Sequence, residues 1–299
     1  MTVNNSNPEC LLFAQHGWAD TSNDISRLAQ AAADSQTLII SPSLGLLKTF
    51  IRIEPLIEKL EKIASQTIKD HPDTSIKIVG HSMGGLLWLE VLNRNPQWWH
   101  KVHSLILLGS PVGGSNIARI IDPLGIGIGT ARDLGKNRRA IAEKLAQHIP
   151  TLSVASDIGL GTDGLVTLEN TKFNYAHLQL VSDIPHSAMK YHPEIIPVMQ
   201  NFWANPQLGF SPERNQLNQF IQRLRSIPGM TDADYRNFER SQIIATLADG
   251  STLHIWNNPL GVPHVYLGKG QRCIYAGYVG LIHAWGLRQA IKDIQEHEL

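Results

Sequence analysis

The stretch Ile76-Lys77-Ile78-Val79-Gly80-His81-Ser82-Met83-Gly84-Gly85-Leu86-Leu87 constrains this chain more than any other part of it. A short β-branched run ends in Gly-His-Ser-Met-Gly and a helical pattern starts at once, which reads as strand, one sharp turn, helix. Such a turn holds its serine in a strained conformation, and its neighbours approach so closely that Gly80 and Gly84 tolerate what a Cβ could not. Ser82 Oγ is thereby lifted above a sheet at the N-terminus of the next helix, where the dipole favours developing negative charge. The backbone N–H of Met83 is then a candidate oxyanion donor. Gly-x-Ser-x-Gly also arises by chance as a plain Gly-rich turn, so the motif has to be weighed with its flanks.

Those flanks alternate. Leu11-Leu12-Phe13-Ala14 is a short apolar strand leading into Gln15-His16-Gly17-Trp18, and a helix follows with Ile25, Leu28 and Ala32 at helical spacing. Thr37 to Ile40 is the next strand, and after it comes an unusually apolar connection (Leu44, Leu46, Leu47, Phe50, Ile51). Glu54 to Lys69 reads as a long helix stopped at His71-Pro72, then the elbow, then a strand from Val102 to Leu108 ending Gly109-Ser110-Pro111. Thr151 to Ala155 and Ala176 to Val181 are further strands, and Pro193 to Trp203 is a closing helix. Short apolar strands alternating with helices predict a mainly parallel sheet of about six strands covered on both faces. Chemistry in such sheets lies at the carboxyl ends of the strands, which puts Trp18, Ser43, Ser82 and Ser110 on one rim. Residues 112–150 interrupt the rhythm: Ile117 to Ile128 is apolar and Gly-rich, and Ala131 to His148 is basic and helix-like. This insertion is expected either to pack on the sheet as a helix or to form a lid or acyl-binding cap.

Composition narrows the partners. Lys+Arg and Asp+Glu both total 26, and no basic stripe or polybasic cluster points to nucleic acid or an anionic membrane. Cys10 and Cys273 have neither metal spacing nor a disulfide framework, which suits idle thiols in a reducing compartment. No signal-peptide pattern and no bilayer-length apolar run is read, so the expectation is a soluble, cytoplasmic protein. No His-x-x-x-His or Cys-pair pattern suggests a metal, and no cofactor is called for.

A serine at an elbow is inert at neutral pH unless a base takes its proton and a carboxylate orients that base. After Ser82 the chain supplies Gly161-Thr162-Asp163-Gly164-Leu165-Val166 and then Pro185-His186-Ser187, each after a strand. With His16-Gly17-Trp18 before the elbow, these motifs resemble the α/β-hydrolase superfamily, in particular compact lipases and esterases, over about residues 9–203. The resemblance implies a triad of Ser82, His186 and Asp163 and an oxyanion hole formed by the backbone N–H groups of Trp18 and Met83. His16, Gly17 and His81 are expected around the substrate, with His16 bracing the oxyanion turn and His81 packing. Asp157 is the rival acid; Asp122, Asp133 and Asp183 fit worse, as do His177 and His192 as the base. The early position of the His-Gly turn leaves no room for the two opening antiparallel strands of larger hydrolases, so a reduced version of the fold is expected.

Past Asn205 the alternation ends. A helix starting at Ser211-Pro212-Glu213, two hairpins (243–256 around Ala248-Asp249-Gly250-Ser251 and 265–275 around Gly268-Lys269-Gly270) and a final helix from Leu281 make a small α+β module. The organisation read is therefore a hydrolase domain over 1–204 and a module over 205–299, the latter for docking or oligomerisation. The elbow chemistry suits hydrolysis of a small-molecule or lipid ester with an apolar acyl chain, with room for transient contact with a lipid surface. A thioesterase, amidase or acyltransferase would use the same parts, and a non-catalytic small-ligand binder is the remaining alternative.

Overall fold

The computed structural model describes residues 8–45, 52–114, 135–210 and 216–297. Six strands form one wholly parallel sheet: β1 Cys10–Gln15, β2 Thr37–Ile40, β3 Ser75–His81, β4 Val102–Leu108, β5 Thr151–Asp157 and β6 His177–Ser182. Their order is β2-β1-β3-β4-β5-β6. The central strands are apolar on both sides because both faces are covered. In β1, Leu11 and Phe13 enter one core, and Leu12 and Ala14 enter the other. The first core lies under α2 (Glu54–Asp70), α3 (Met83–Arg94) and α4 (Arg139–Ala146). The second lies under α1 (Asn23–Ala32) and α6 (Ile195–Ala204); a short α5 (Leu168–Thr171) falls between β5 and β6.

The chain runs outward from β1 to β2 and then crosses back to β3. This reversal opens a crevice at the carboxyl ends of β1 and β3, the usual ligand position in such sheets. Those two ends carry His16-Gly17-Trp18 and Ser82.

The expected insertion resolves in part. Arg139–Ala146 buries Ala142 and Leu145 against the first core, so it is the ordinary crossover helix between β4 and β5 and no part of a lid. The apolar run Ile117 to Ile128, with Asp122 and Asp133, lies outside the described residues, as do Leu46, Leu47, Phe50, Ile51 and the Ser211-Pro212-Glu213 cap.

The C-terminal residues build a second sheet, fully antiparallel, in the order β7-β11-β10-β9-β8. Its strands are β7 Met230–Asp232, β8 Gln242–Thr246, β9 Thr252–Asn257, β10 Pro263–Lys269 and β11 Arg272–Val279. Helices α7 (Gln216–Ser226) and α8 (Ala284–His297) cover one face through Leu224 and Leu287. Both expected hairpins form. The fifth strand, β7, has three residues and follows Pro228-Gly229, too short for an alternating pattern to announce it.

Candidate active site

Between β3 and α3, Ser82 has φ 54° and ψ −122°, a conformation that an L-residue adopts only under constraint. Close packing supplies the constraint. A Cβ on Gly80 would sit 2.5 Å from Gly85 Cα, and one on Gly84 would collide with the carbonyl oxygens of Gln15 and His16. The Ser82 N–H donates to Leu108 O (2.9 Å), tying the turn to the end of β4. Met83 opens α3, so its N–H belongs to the first, unpaired turn of that helix.

The His-Gly-Trp turn lies against Ser82, since a Cβ on Gly17 would stand 3.0 Å from Ser82 Cβ. His16 is fully enclosed. Its Nε2 accepts the N–H of Leu44 (3.1 Å), which leaves the proton on Nδ1 to donate to Gly17 O (2.9 Å). Burial lowers its pKa and keeps the ring neutral. His16 thus pins the His-Gly-Trp turn to the loop after β2.

His81 is likewise enclosed. Its Nε2 donates to the carbonyl oxygen of His186 (3.0 Å) and its ring lies against the His186 imidazole with centroids 4.9 Å apart. Burial, and next the neighbouring His186, drives its pKa well below the ordinary histidine value. Both rings are bonded to backbone, as the expected bracing and packing duties ask, and Gly17 lies against Ser82.

His186 opens a short turn after β6, and its Nδ1 lies 2.6 Å from Asp163 Oδ2. The other carboxylate oxygen accepts the N–H groups of Leu165 (3.0 Å) and Val166 (2.6 Å), and the His186 N–H donates to Asp163 O (2.9 Å). Both side chains are buried. They pack on Gly109, where a Cβ would stand 3.2 Å from both Asp163 Oδ2 and His186 Nδ1. Gly109 directly follows Leu108, the residue that holds the Ser82 N–H, so the pair and the serine meet at one strand end. No hydrogen bond joins Ser82 Oγ to the His186 ring; such bonds often tighten only with substrate bound.

The rivals serve elsewhere. Asp157 Oδ1 accepts the N–H groups of Gly159 (2.8 Å) and Gly161 (3.1 Å) and shapes the loop. The Asp183 N–H donates to Asp157 O (3.0 Å). His177 Nε2 meets Gln207 O (3.1 Å), and His192 Nδ1 accepts the N–H of Glu194 (3.4 Å). Among the described residues no group of three or more His, Cys, Asp or Glu could hold a metal ion, and no helix is long and apolar enough to cross a membrane.

One feature escaped the sequence reading. Glu169, just beyond the Asp163 turn, is buried among Arg139, Arg225, Asp232 and Tyr235, three of which come from the antiparallel unit. These partners lie 30 to 66 positions from Glu169, and no local spacing signals them.

A wholly parallel sheet, its switch point and a strained elbow at that point define the α/β-hydrolase fold. Residues 48–179 match the family model of the PGAP1-like alpha/beta domain, and the chain has the fold of the α/β hydrolases. The mature form of Bacillus licheniformis lipase BlEst2 superposes with a TM-score of 0.52 at 18% identity, covering 67% of this chain and 93% of that one. Its propeptide form gives 0.55 at 14% identity, covering 92% of this chain and 72% of that one. At such identities the likeness is one of fold. The second match leaves about 24 of the 299 residues outside it, so it must run through most of the antiparallel unit as well. No curated protein matches the chain.

Proposed function

We propose that this protein is a serine hydrolase that cleaves carboxylic esters through Ser82, His186 and Asp163. The observation that carries the reading is the buried 2.6 Å pair of His186 Nδ1 and Asp163 Oδ2, packed at the strand end that also anchors the Ser82 turn. With Asp163 holding the proton on Nδ1, the imidazole presents Nε2 as a base. Ser82 Oγ attacks the acyl carbonyl while its proton passes to His186 Nε2, and the carbonyl oxygen becomes an oxyanion between the N–H groups of Met83 and Trp18. Collapse expels the alcohol, which takes the proton from His186 and leaves an acyl-Ser82 ester. Water then attacks that ester by the same proton route, releasing the acid and restoring the serine. The apolar runs around Leu44 to Ile51 and Ile117 to Ile128 support an apolar acyl group.

Labelling with a fluorophosphonate tests the reading. One adduct at Ser82, absent from Ser82→Ala at unchanged circular dichroism, is the expected result; an unlabelled native chain would leave only a ligand-binding role. A series of p-nitrophenyl esters and matched thioesters of rising length then separates esterase from thioesterase.

A further inference from the structure

The two sheets have separate cores. Among the described residues, the apolar clusters of the parallel sheet draw on nothing after Trp203, and those of the antiparallel sheet on nothing before Leu217. Polar contacts between them fall on the 157–172 segment, which carries Asp163, and on Arg139 beside it.

Two clamps straddle that carboxylate. Ahead of Asp163, the N–H of Tyr235 donates to Leu160 O (2.9 Å), and the Tyr235 ring covers Gly161, where a Cβ would stand 2.6 Å from the ring carbons. Leu160 and Gly161 both have positive φ, so this part of the loop rests in a conformation that needs outside support. Behind Asp163, Tyr235 Oη donates to Glu169 Oε1 (2.8 Å) and Arg225 Nη2 donates to Glu169 Oε2 (2.9 Å). Asp232 receives Arg139, and Arg139 in turn donates to Glu169 O (2.7 Å). Leu168 N–H closes the loop on Gly161 O (2.9 Å), joining the two clamps. Burial, and then the Glu169 charge, push the Tyr235 phenol upward, so it remains the donor.

Buried ion clusters seldom add net stability over apolar packing, because desolvation consumes the Coulomb gain; their better-attested use is to fix one register. Here the element placed in register is the turn bearing the carboxylate that holds His186. We infer that Arg225 and Tyr235 of the C-terminal unit are positioning residues for the Asp163–His186 pair, acting through Glu169 and the 160–169 loop. The inference rests on the proposed triad and assigns the module a part in its geometry.

The test uses full-length Tyr235→Phe, Arg225→Met and Arg225→Lys, with Leu224→Ala as a control for mere loss of module stability, since Leu224 is buried in the module core. Two readouts are taken: kcat and KM on a p-nitrophenyl ester, and the low-field proton resonance of the short His186 Nδ1–H bond. Tyr235→Phe should lose about tenfold in kcat, the worth of one hydrogen bond. Arg225→Met should lose on the order of 10²-fold, as a displaced catalytic group does. KM should hold in both, Arg225→Lys should recover most of the loss, and the resonance should broaden or shift in step with kcat. Leu224→Ala should melt earlier yet keep both kcat and the resonance. Tyr235→Phe within twofold of the native kcat with an unchanged resonance overturns the inference even if Arg225→Met does not fold. A rise in kcat overturns it too, marking the module as a restraint. A native chain that fluorophosphonate does not label would defeat the proposed reaction, while the resonance would still decide the inference.

Discussion

Replacing Asp163 by asparagine separates two accounts of what this carboxylate does. Oδ1 accepts two turn N–H groups, from Leu165 and Val166, and an asparagine oxygen can keep both, so the turn survives. The change falls on Oδ2, 2.6 Å from His186 Nδ1. An amide NH₂ there is a donor facing a donor, and the imidazole relieves the conflict by moving its proton to Nε2, the atom that must accept from Ser82. If only one charge-assisted hydrogen bond were lost, the cost would be about 1.5–3 kcal/mol, roughly 10- to 150-fold. Loss of the basic tautomer costs about 10⁴-fold, close to 5.5 kcal/mol. We expect the larger figure in kcat/KM on p-nitrophenyl butyrate, a parallel slowing of fluorophosphonate labelling, and a thermal melt little changed. Asp157→Asn, which keeps its Oδ1 acceptor for Gly159 and Gly161, should stay within a few-fold of native. An Asp163→Asn enzyme losing less than 10²-fold would refute the tautomer argument, and a harsher effect of Asp157→Asn would refute the assignment of the acid.

Ser82→Gly should abolish hydrolysis and yet raise the unfolding free energy by about 1 kcal/mol, because glycine relieves the positive φ at the elbow. A calorimetric midpoint at or below that of Ser82→Ala would show that the turn stores no such strain. Acid should weaken the fold early. His16 and His81 have pKa values depressed foremost by burial, so below about pH 6.5 the unfolded chain takes up protons that the folded chain refuses. Their stabilisation is complete above that pH and falls away as pH drops towards the folded values. Urea midpoints that stay level below that pH would contradict the neutral, buried assignment.

Much of the rim was legible because strand ends are local events. Ser82, Asp163 and His186 each follow a short apolar run, and a parallel sheet puts all such ends on one side, so chain order alone delivers them to a common edge. Side-chain direction is not local. His81 adjoins Ser82 in sequence and His16 stands in the turn after β1, yet the ring of each is bonded to a backbone carbonyl, a direction that no spacing announces. Residues 131–148 read equally as a helix packed on the sheet or as part of a cap, and Ala142 and Leu145 in the first core place Arg139–Ala146 with the former.

Least legible was the join between the two units. Arg225 reads as a solvated charge on an amphipathic helix, Tyr235 as a loop aromatic, and Glu169 as a residue of a short turn. Nothing in their spacing says that 56 and 66 positions of chain separate partners in one buried cluster. Such a contact is specified by how two finished surfaces fit, after each unit has closed its own apolar core. Periodicity reports only the making of the cores, so a sequence reading recovers the residues that perform the proposed chemistry before it recovers those that hold them still.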